Sequence, residues 1–410
     1  MSSKLATKID EVTAAVPPSK KGATPLWQQA VAAVLVIVLS YAVLEITFAA
    51  AGLGESDLVH LDPVFGFAPV PNKSITWRGE GYSRYRYNSF GMQDDERTLA
   101  KPADTYRVAM LGDSYTEAFQ VPREKNHCSI LQSLLNQDLK ANKANEAIDR
   151  DKSKVEVLNF AVASYSLGMM YMQLKQNVER FHPDMVVLEY HVNEVMKVEP
   201  PAVPIEEMGL GYCHPYFRIG KGGELVTDTS IQEKWFASRQ AKTLRETEWL
   251  TTHSRVAAVS VHAYRQVADA ISSQFEKLRK SLSHEGAAPQ MQASYWVDQA
   301  PYSFTKSHWA VMDLLIQKMN EECKKNGIKF AIVRIPAFRY NDNPAEAELL
   351  RQSAERLQIP YRDMDAATRK LTDEKLAEMF IGGNGHFNAT GHEYVGAQLK
   401  SFLSEVQPDL

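Results

Sequence analysis

Four short runs of almost unbroken apolar residues punctuate this chain: Tyr106–Gly112 (YRVAMLG), Val155–Val162 (VEVLNFAV), Met185–His191 (MVVLEYH) and Lys329–Pro336 (KFAIVRIP). A shorter run, IPYRDMD, supplies a candidate fifth. Runs of this length without alternation predict strands buried on both faces. Helix-like segments lie between them, at Ser129–Leu139, Met169–Phe181, Trp309–Asn326 and Ala345–Leu357. Alternating strands and helices predict an α/β fold: a three-layer α/β/α sandwich built on a parallel sheet. Met169, Met170 and Met172 read as helix packing rather than as a site.

Three stretches break that rhythm. From Ala30 to Gly52 runs AVAAVLVIVLSYAVLEITFAAAG, 23 residues in which Glu45 is the one charge. At about 1.5 Å per residue this crosses a hydrocarbon layer of about 30 Å. Lys20 and Lys21 precede it, whereas Glu55, Asp57 and Asp62 follow. The charge asymmetry predicts a single-pass membrane protein with a cytoplasmic N-terminus and everything after Gly54 outside the cytoplasm. A cleaved signal peptide is the rival, since FAAAG contains an A-x-A, but the apolar core exceeds the roughly 7–15 residues of a signal peptide. Glu45 lies toward the outer end of the span and is expected to reach the interface. Residues 1–25 thus read as a cytoplasmic tail and 26–53 as a transmembrane anchor.

The second stretch, 55–105, is rich in Gly, Pro, Tyr and Arg. Its alternating runs, such as Ser83–Tyr87, predict small edge strands packed beside the main domain, which covers 106–410. The third, about 199–307, holds PPAVP, a hairpin around IGKGGELV, and helical stretches near Ser230–Glu248 and Arg255–Leu282. It reads as an insertion rising from the strand ends, where α/β proteins form their ligand sites.

Composition narrows the field little. Hydrophobic residues make up 44% and charged residues 23% of the 410, which suits a folded chain with a sizeable core. A net charge of −4 gives no reason to expect nucleic acid. Cys128, Cys213 and Cys323 are widely spaced and lack zinc-site spacing, so no metal is implied, and they can form at most one disulfide.

The candidate chemistry sits where the predicted strands end. In MLGDSYTEAF, Ser114 follows the first sheet strand, and Gly112 permits a tight turn into a helix. The hydroxyl then faces the crevice while the helix start offers N–H donors to an oxyanion. A serine there is equally a common helix cap. The second strand ends in the small-residue turn NFAVASYSLG, and the third places the amide of Asn193 at its end. Near the C-terminus, in FIGGNGHFNATGH, His386 is positioned to deprotonate Ser114. Nucleophile, oxyanion donors and base therefore converge on one sheet edge. His392 reads as structural, Asn388 as the cap of the last helix, and His191 as a residue facing substrate.

From about Asp62 to Val406 the chain resembles the SGNH/GDSL hydrolases, in particular the membrane-anchored branch linked to extracellular polysaccharide. Ser114, Asn193 and His386 match that family's nucleophile, oxyanion asparagine and base, and YNSFGMQDDE and GHFNATGHEYVGAQL match its flanking segments. The resemblance implies a backbone oxyanion donor at Ser164, which replaces the family's second-block glycine. It also places His191 and Glu194 on the glycine and aspartate of the third block. The family's final-block aspartate falls on Gly383 or Asn384. Asn384 is therefore expected to orient His386 by accepting from its ring N–H. Asp365 is the alternative third member, with Asp363 and Glu194 as further carboxylates.

The resemblance implies a serine esterase or O-acyltransferase acting on acetyl-sized esters of a carbohydrate, with no cofactor. Two rivals stand beside it: a lipid or thioester hydrolase, and a non-catalytic carbohydrate-binding or scaffolding subunit of an envelope assembly with protein partners. The charge asymmetry around the apolar span predicts that a reporter active only in the cytoplasm, fused after Leu410, stays silent. A strong signal from that fusion overturns the topology.

Overall fold

The computed structural model describes residues 24–54, 58–144, 152–192, 197–200, 204–205, 208–283, 306–337, 344–383 and 385–408. They form two units, Met1–Leu53 and Gly54–Leu410. In the first, helix α1 (Leu26–Ala51) is 26 residues long, with none of its side chains buried, and Gly52 closes it in the left-handed conformation. It is the one helix among the described residues long and apolar enough to cross a membrane.

The second unit opens with two antiparallel hairpins, β1 (Val59–Asp62) with β2 (Gly66–Pro69), and β3 (Ser74–Trp77) with β4 (Ser83–Arg86). Strand β4 alternates buried and exposed positions, as the sequence led us to expect. Then come β5 (Thr105–Leu111), helices α2 (Ser114–Glu117) and α3 (His127–Ala144), β6 (Lys154–Asn159), α4 (Leu167–Gln176) and β7 (Met185–Tyr190). The insertion follows as the hairpin β8 (Tyr216–Ile219) and β9 (Leu225–Asp228), then α5 (Ser230–Phe236), α6 (Arg239–His253) and α7 (Arg255–Ser283). The chain ends with α8 (Lys306–Lys325), β10 (Lys329–Arg334), α9 (Pro344–Leu357), β11 (Tyr361–Asp363), the short α10 (Asp365–Thr368) and α11 (Asp373–Ala377), and α12 (Ala389–Val406).

All five predicted strands join one parallel sheet in the order β11-β10-β7-β5-β6. Every residue of β5 and β7 is buried, which is why these segments read as continuous apolar runs. Their side chains alternate between two cores. Ala109, Leu111, Val186 and Leu188 face α4, α8 and α9, while Val108, Met110, Met185 and Val187 face α3 and α12. Helices thus cover both faces and give the three layers. Because the first strand connects outward to β6 and the chain then returns to β7 on its other side, the strand order reverses between β5 and β7. In open α/β sheets the ligand crevice forms beyond the carboxyl ends of the strands at such a point.

The lead-in hairpin β3–β4 is fixed to the main body by aromatic packing. Trp77 stacks on Phe119 with ring centroids 5.0 Å apart, and the Ser83 hydroxyl donates to the Phe119 carbonyl. The insertion carries its own small core, in which fully buried Trp235 donates its indole N–H to the Met208 carbonyl at 3.1 Å. All three cysteines are buried free thiols.

Leu188 is fully buried on the central strand, so Leu188→Ala removes apolar contacts and leaves a cavity. Such truncations cost about 2–5 kcal/mol. We expect a matching fall in the urea midpoint of the detergent-solubilised chain.

Candidate active site

Strand β5 delivers Ser114 through a turn that tolerates no larger residue at position 112. A Cβ on Gly112 would lie 2.1 Å from Thr116 Oγ1, so only glycine lets the first turn of α2 fold back on the strand. Asp113 caps α2, its Oδ1 accepting from the Tyr115 N–H at 3.0 Å. The Thr116 hydroxyl donates to Glu189 on β7, and Asn159 at the end of β6 donates to the Thr116 carbonyl at 2.9 Å. The serine turn is thereby pinned to both neighbouring strands.

Two backbone N–H groups lie in the turns that follow β5 and β6. Neither the Ser114 nor the Ser164 N–H has an acceptor among the described residues. Ser164 has φ +67°, the left-handed region that favours glycine, which agrees with its alignment on a glycine of the resembled family. Glu117, the last residue of α2, accepts from the Ala163 N–H and the Tyr87 hydroxyl, coupling the Ser164 turn to the serine helix.

His386 stands on a closed turn: Ile381 N–H donates to the His386 carbonyl at 2.8 Å, and Gly385 N–H to the Ile381 carbonyl at 2.9 Å. Its Nε2 lies 2.8 Å from Ser114 Oγ, across 272 positions of sequence. The Tyr115 ring stacks on His191 (centroids 4.1 Å) and lies tilted against His386 (4.5 Å), and its hydroxyl reaches the Gly385 carbonyl at 3.4 Å.

The acid at the histidine comes from the lead-in hairpin. Glu80 Oε2 is 2.6 Å from His386 Nδ1, and Glu80 Oε1 accepts from the His386 backbone N–H at 2.6 Å. Glu80 sits at the β3–β4 tip between Gly79 and Gly81, and Trp77 donates its indole N–H to the Glu80 carbonyl at 2.8 Å. Close approach requires glycine opposite it, since a Cβ on Gly385 would fall 1.7 Å from Glu80 Oε1. A carboxylate acceptor at Nδ1 fixes the proton there and leaves Nε2 free to accept from the Ser114 hydroxyl.

Electrostatics follow from burial opposed by partners. Burial pushes the Glu80 carboxyl up, but the hydrogen bonds and charge of His386 outweigh it and hold Glu80 below the usual carboxylate value. Burial likewise raises Asp113, and Lys197 with His191 brings it below normal. Burial drives His191 down to about 4, with Asp113 as the opposing influence, so its ring is neutral near pH 7.

Glu80 provides an acceptor at His386 Nδ1, the role that the sequence reading gave to Asn384, which lies outside the described residues. Asp365 is committed elsewhere, to Arg334 at 2.6 Å, the Ala337 N–H at 3.2 Å and Thr368 at 3.0 Å. Asp363 binds Arg334 and Arg369. Asn193 and Glu194 also lie outside the described residues. His392 is buried with Nδ1 2.9 Å from His127 Nδ1, and Asn388 caps α12 by accepting from the Gly391 N–H at 3.1 Å. The missed signal was RGEGY, a lone carboxylate between two glycines at a hairpin tip.

No family model matches the chain, and no curated protein matches it. Among solved structures, one similar chain is a putative lipolytic protein of the G-D-S-L family from Desulfitobacterium hafniense DCB-2. It is 12% identical with a TM-score of 0.36, over 72% of this chain and 99% of that one. The acetyl xylan esterase AlAXEase is 12% identical with a TM-score of 0.35, over 72% and 98%. A two-domain esterase active on acetylated mannans is 10% identical with a TM-score of 0.38, over 74% and 49%. At these scores the likenesses add nothing to what the chain's own geometry carries.

Because Glu80 is held below its ordinary value, its contact with His386 stabilises the fold above the unfolded-state pKa. That contribution disappears as pH falls through the lowered folded value. We expect Glu80→Gln to lower the melting temperature at pH 7 and the difference from wild type to shrink on acidification below about pH 4.5. A melting difference independent of pH overturns this linkage.

Proposed function

We propose that the unit beyond α1 is a serine esterase acting on acyl esters of a carbohydrate, and that α1 anchors it in a membrane with its N-terminus cytoplasmic. The observation that carries the esterase reading is the continuous hydrogen-bonded chain Glu80–His386–Ser114. The carbohydrate preference comes from the resemblance of the Ser114, Asn193 and His386 blocks to the polysaccharide-linked SGNH branch, and the anchor from the length and apolarity of α1.

In the first half-reaction Ser114 Oγ attacks the acyl carbonyl carbon while its proton passes to His386 Nε2. The tetrahedral oxyanion is held by the Ser114 and Ser164 N–H groups and the Asn193 amide. His386 then returns the proton to the leaving sugar oxygen as the C–O bond breaks, and the acyl group stays on Ser114. In the second half His386 takes a proton from water, whose oxygen attacks the acyl carbonyl carbon. As the bond from that carbon to Ser114 Oγ breaks, His386 returns the proton to Oγ and the acid is released; a sugar hydroxyl in place of water makes the step a transfer. Glu80 keeps the imidazole in the working tautomer and stabilises the imidazolium formed in each half.

Ser114→Ala is expected to abolish hydrolysis of a small acetyl ester and labelling by a fluorophosphonate, with the melting temperature nearly unchanged. Glu80→Gln should lower turnover by up to about 10⁴, the loss seen when a triad acid becomes an amide. Asp365→Asn should leave turnover per folded molecule close to wild type. Wild-type activity in Ser114→Ala overturns the mechanism. Full activity in Glu80→Gln, with loss in Asp365→Asn, transfers the acid role to Asp365.

A further inference from the structure

The insertion leaves an apolar face uncovered. On α7, Tyr264, Val267 and Ile271 are 71%, 58% and 52% exposed, and on α6, Trp249 is 68% exposed. Positions 264, 267 and 271 share one side of a helix, spaced i, i+3 and i+7. Arg265, a charge within this stretch, turns to α6, its Nη2 donating to Thr247 Oγ1 at 2.8 Å. The opposite side of the helix pair is the packed one, where Ala241, Thr251 and Ala258 are buried. An amphipathic helix that points its apolar stripe outward needs an occupant for that stripe.

The chain path says which occupant it has. Gly54, the first residue of this unit, lies against the first residue of α7: a Cβ there would sit 2.3 Å from the Arg255 carbonyl oxygen. Gly54 adopts φ +64°, so the contact is backbone against backbone. Two residues, Gly52 and Leu53, separate it from Ala51, the end of the apolar span, and these three chain steps reach at most about 11 Å. Trp249 and Leu250 belong to the last residues of α6, beside the same turn. The exposed aromatics are a tryptophan and a tyrosine, the residues enriched where hydrocarbon meets headgroups.

We propose that the apolar face of the α6–α7 hairpin seats in the lipid interface of the membrane that α1 enters, with Trp249, Tyr264, Val267 and Ile271 as its contacts. The proposal rests on reading α1 as a membrane span. A surface-lying helix sinks its apolar face about 5–10 Å into the headgroup boundary. A second attachment beside the first removes the free rotation that a single tether leaves, and so fixes the insertion at the bilayer surface.

The test uses the full chain in phosphatidylcholine–phosphatidylglycerol vesicles, with a nitroxide attached at Tyr264→Cys or Val267→Cys; the native thiols are buried. Relaxation by oxygen, which concentrates in lipid, is compared with relaxation by a water-soluble nickel chelate. Val34→Cys in α1 and Lys221→Cys on the exposed β8–β9 turn serve as lipid and water references. We expect the labels at 264 and 267 to favour oxygen over nickel several-fold more than the label at 221. If they match 221 while 34 reads as lipid, the docking is overturned and the anchor stands. If 34 itself reads as water, the anchor reading fails and the docking with it. Nickel exclusion with label–label broadening that vanishes on dilution with unlabelled protein overturns lipid in favour of a second copy.

Discussion

Glu80 holds His386 by ring and backbone at once, and the remaining geometry of the site is arranged around that grip. One carboxylate oxygen takes Nδ1 and the other takes the His386 N–H, both at 2.6 Å. Two acceptors on one planar group fix both the position and the rotation of the imidazole. That is what aims Nε2 at Ser114 Oγ 2.8 Å away. The grip demands small residues on both sides: Gly385 makes room for Oε1, and Gly81, at φ +71°, lets the hairpin tip double back. It also demands that a segment preceding the sheet be fastened firmly enough to position a catalytic-range contact. Trp77, the β3 residue next to the hairpin tip, stacks on Phe119 and provides that fastening.

The parallel sheet explains why these residues can meet. Each crossover returns the chain to the same edge, so every strand end opens on one side of the sheet. Ser114, Ser164 and His191 follow successive strands and gather there although roughly 50 and 25 positions separate them in sequence. The core fixes the height of that edge. Glu189 and Asn159, buried polar groups on β7 and β6, each hydrogen-bond Thr116 and so tie the serine helix to the strands beside it. The neutral His191 ring then stacks on Tyr115 without adding charge beside His386.

Much of this was legible in the residues. Nearly continuous apolar runs located the four longer sheet strands, with boundaries shifted by only a few residues, because burial on both faces removes the polar alternation of a half-exposed strand; half-buried β11 was marked only by a shorter run. Asn388 as a cap and Met169 as packing followed from local rules that tertiary contacts did not override. Ser114 and His386 were legible for a different reason: strand-end placement is a topological consequence of the α/β pattern. The left-handed backbone at Ser164 was foreshadowed by its alignment on a glycine.

The acid was not legible, and the reason is physical. Local pattern constrains residues within one element or its adjoining turn, so attention fell on Asn384 and Asp365, which lie near His386 in sequence. Whether a carboxylate reaches an imidazole depends on docking between segments 306 positions apart, set by aromatic packing and by room for an oxygen beside a glycine. Asp365 shows the converse. Its place at a strand end was right for a triad member, yet the buried Arg334 beside it claims the carboxylate. The sheet, the apolar span, and the serine and histidine could be read from the residues because each is written in local periodicity or in a single turn. Tertiary structure alone decided which carboxylate faces the histidine, because that choice is made by side chains competing for partners across the fold.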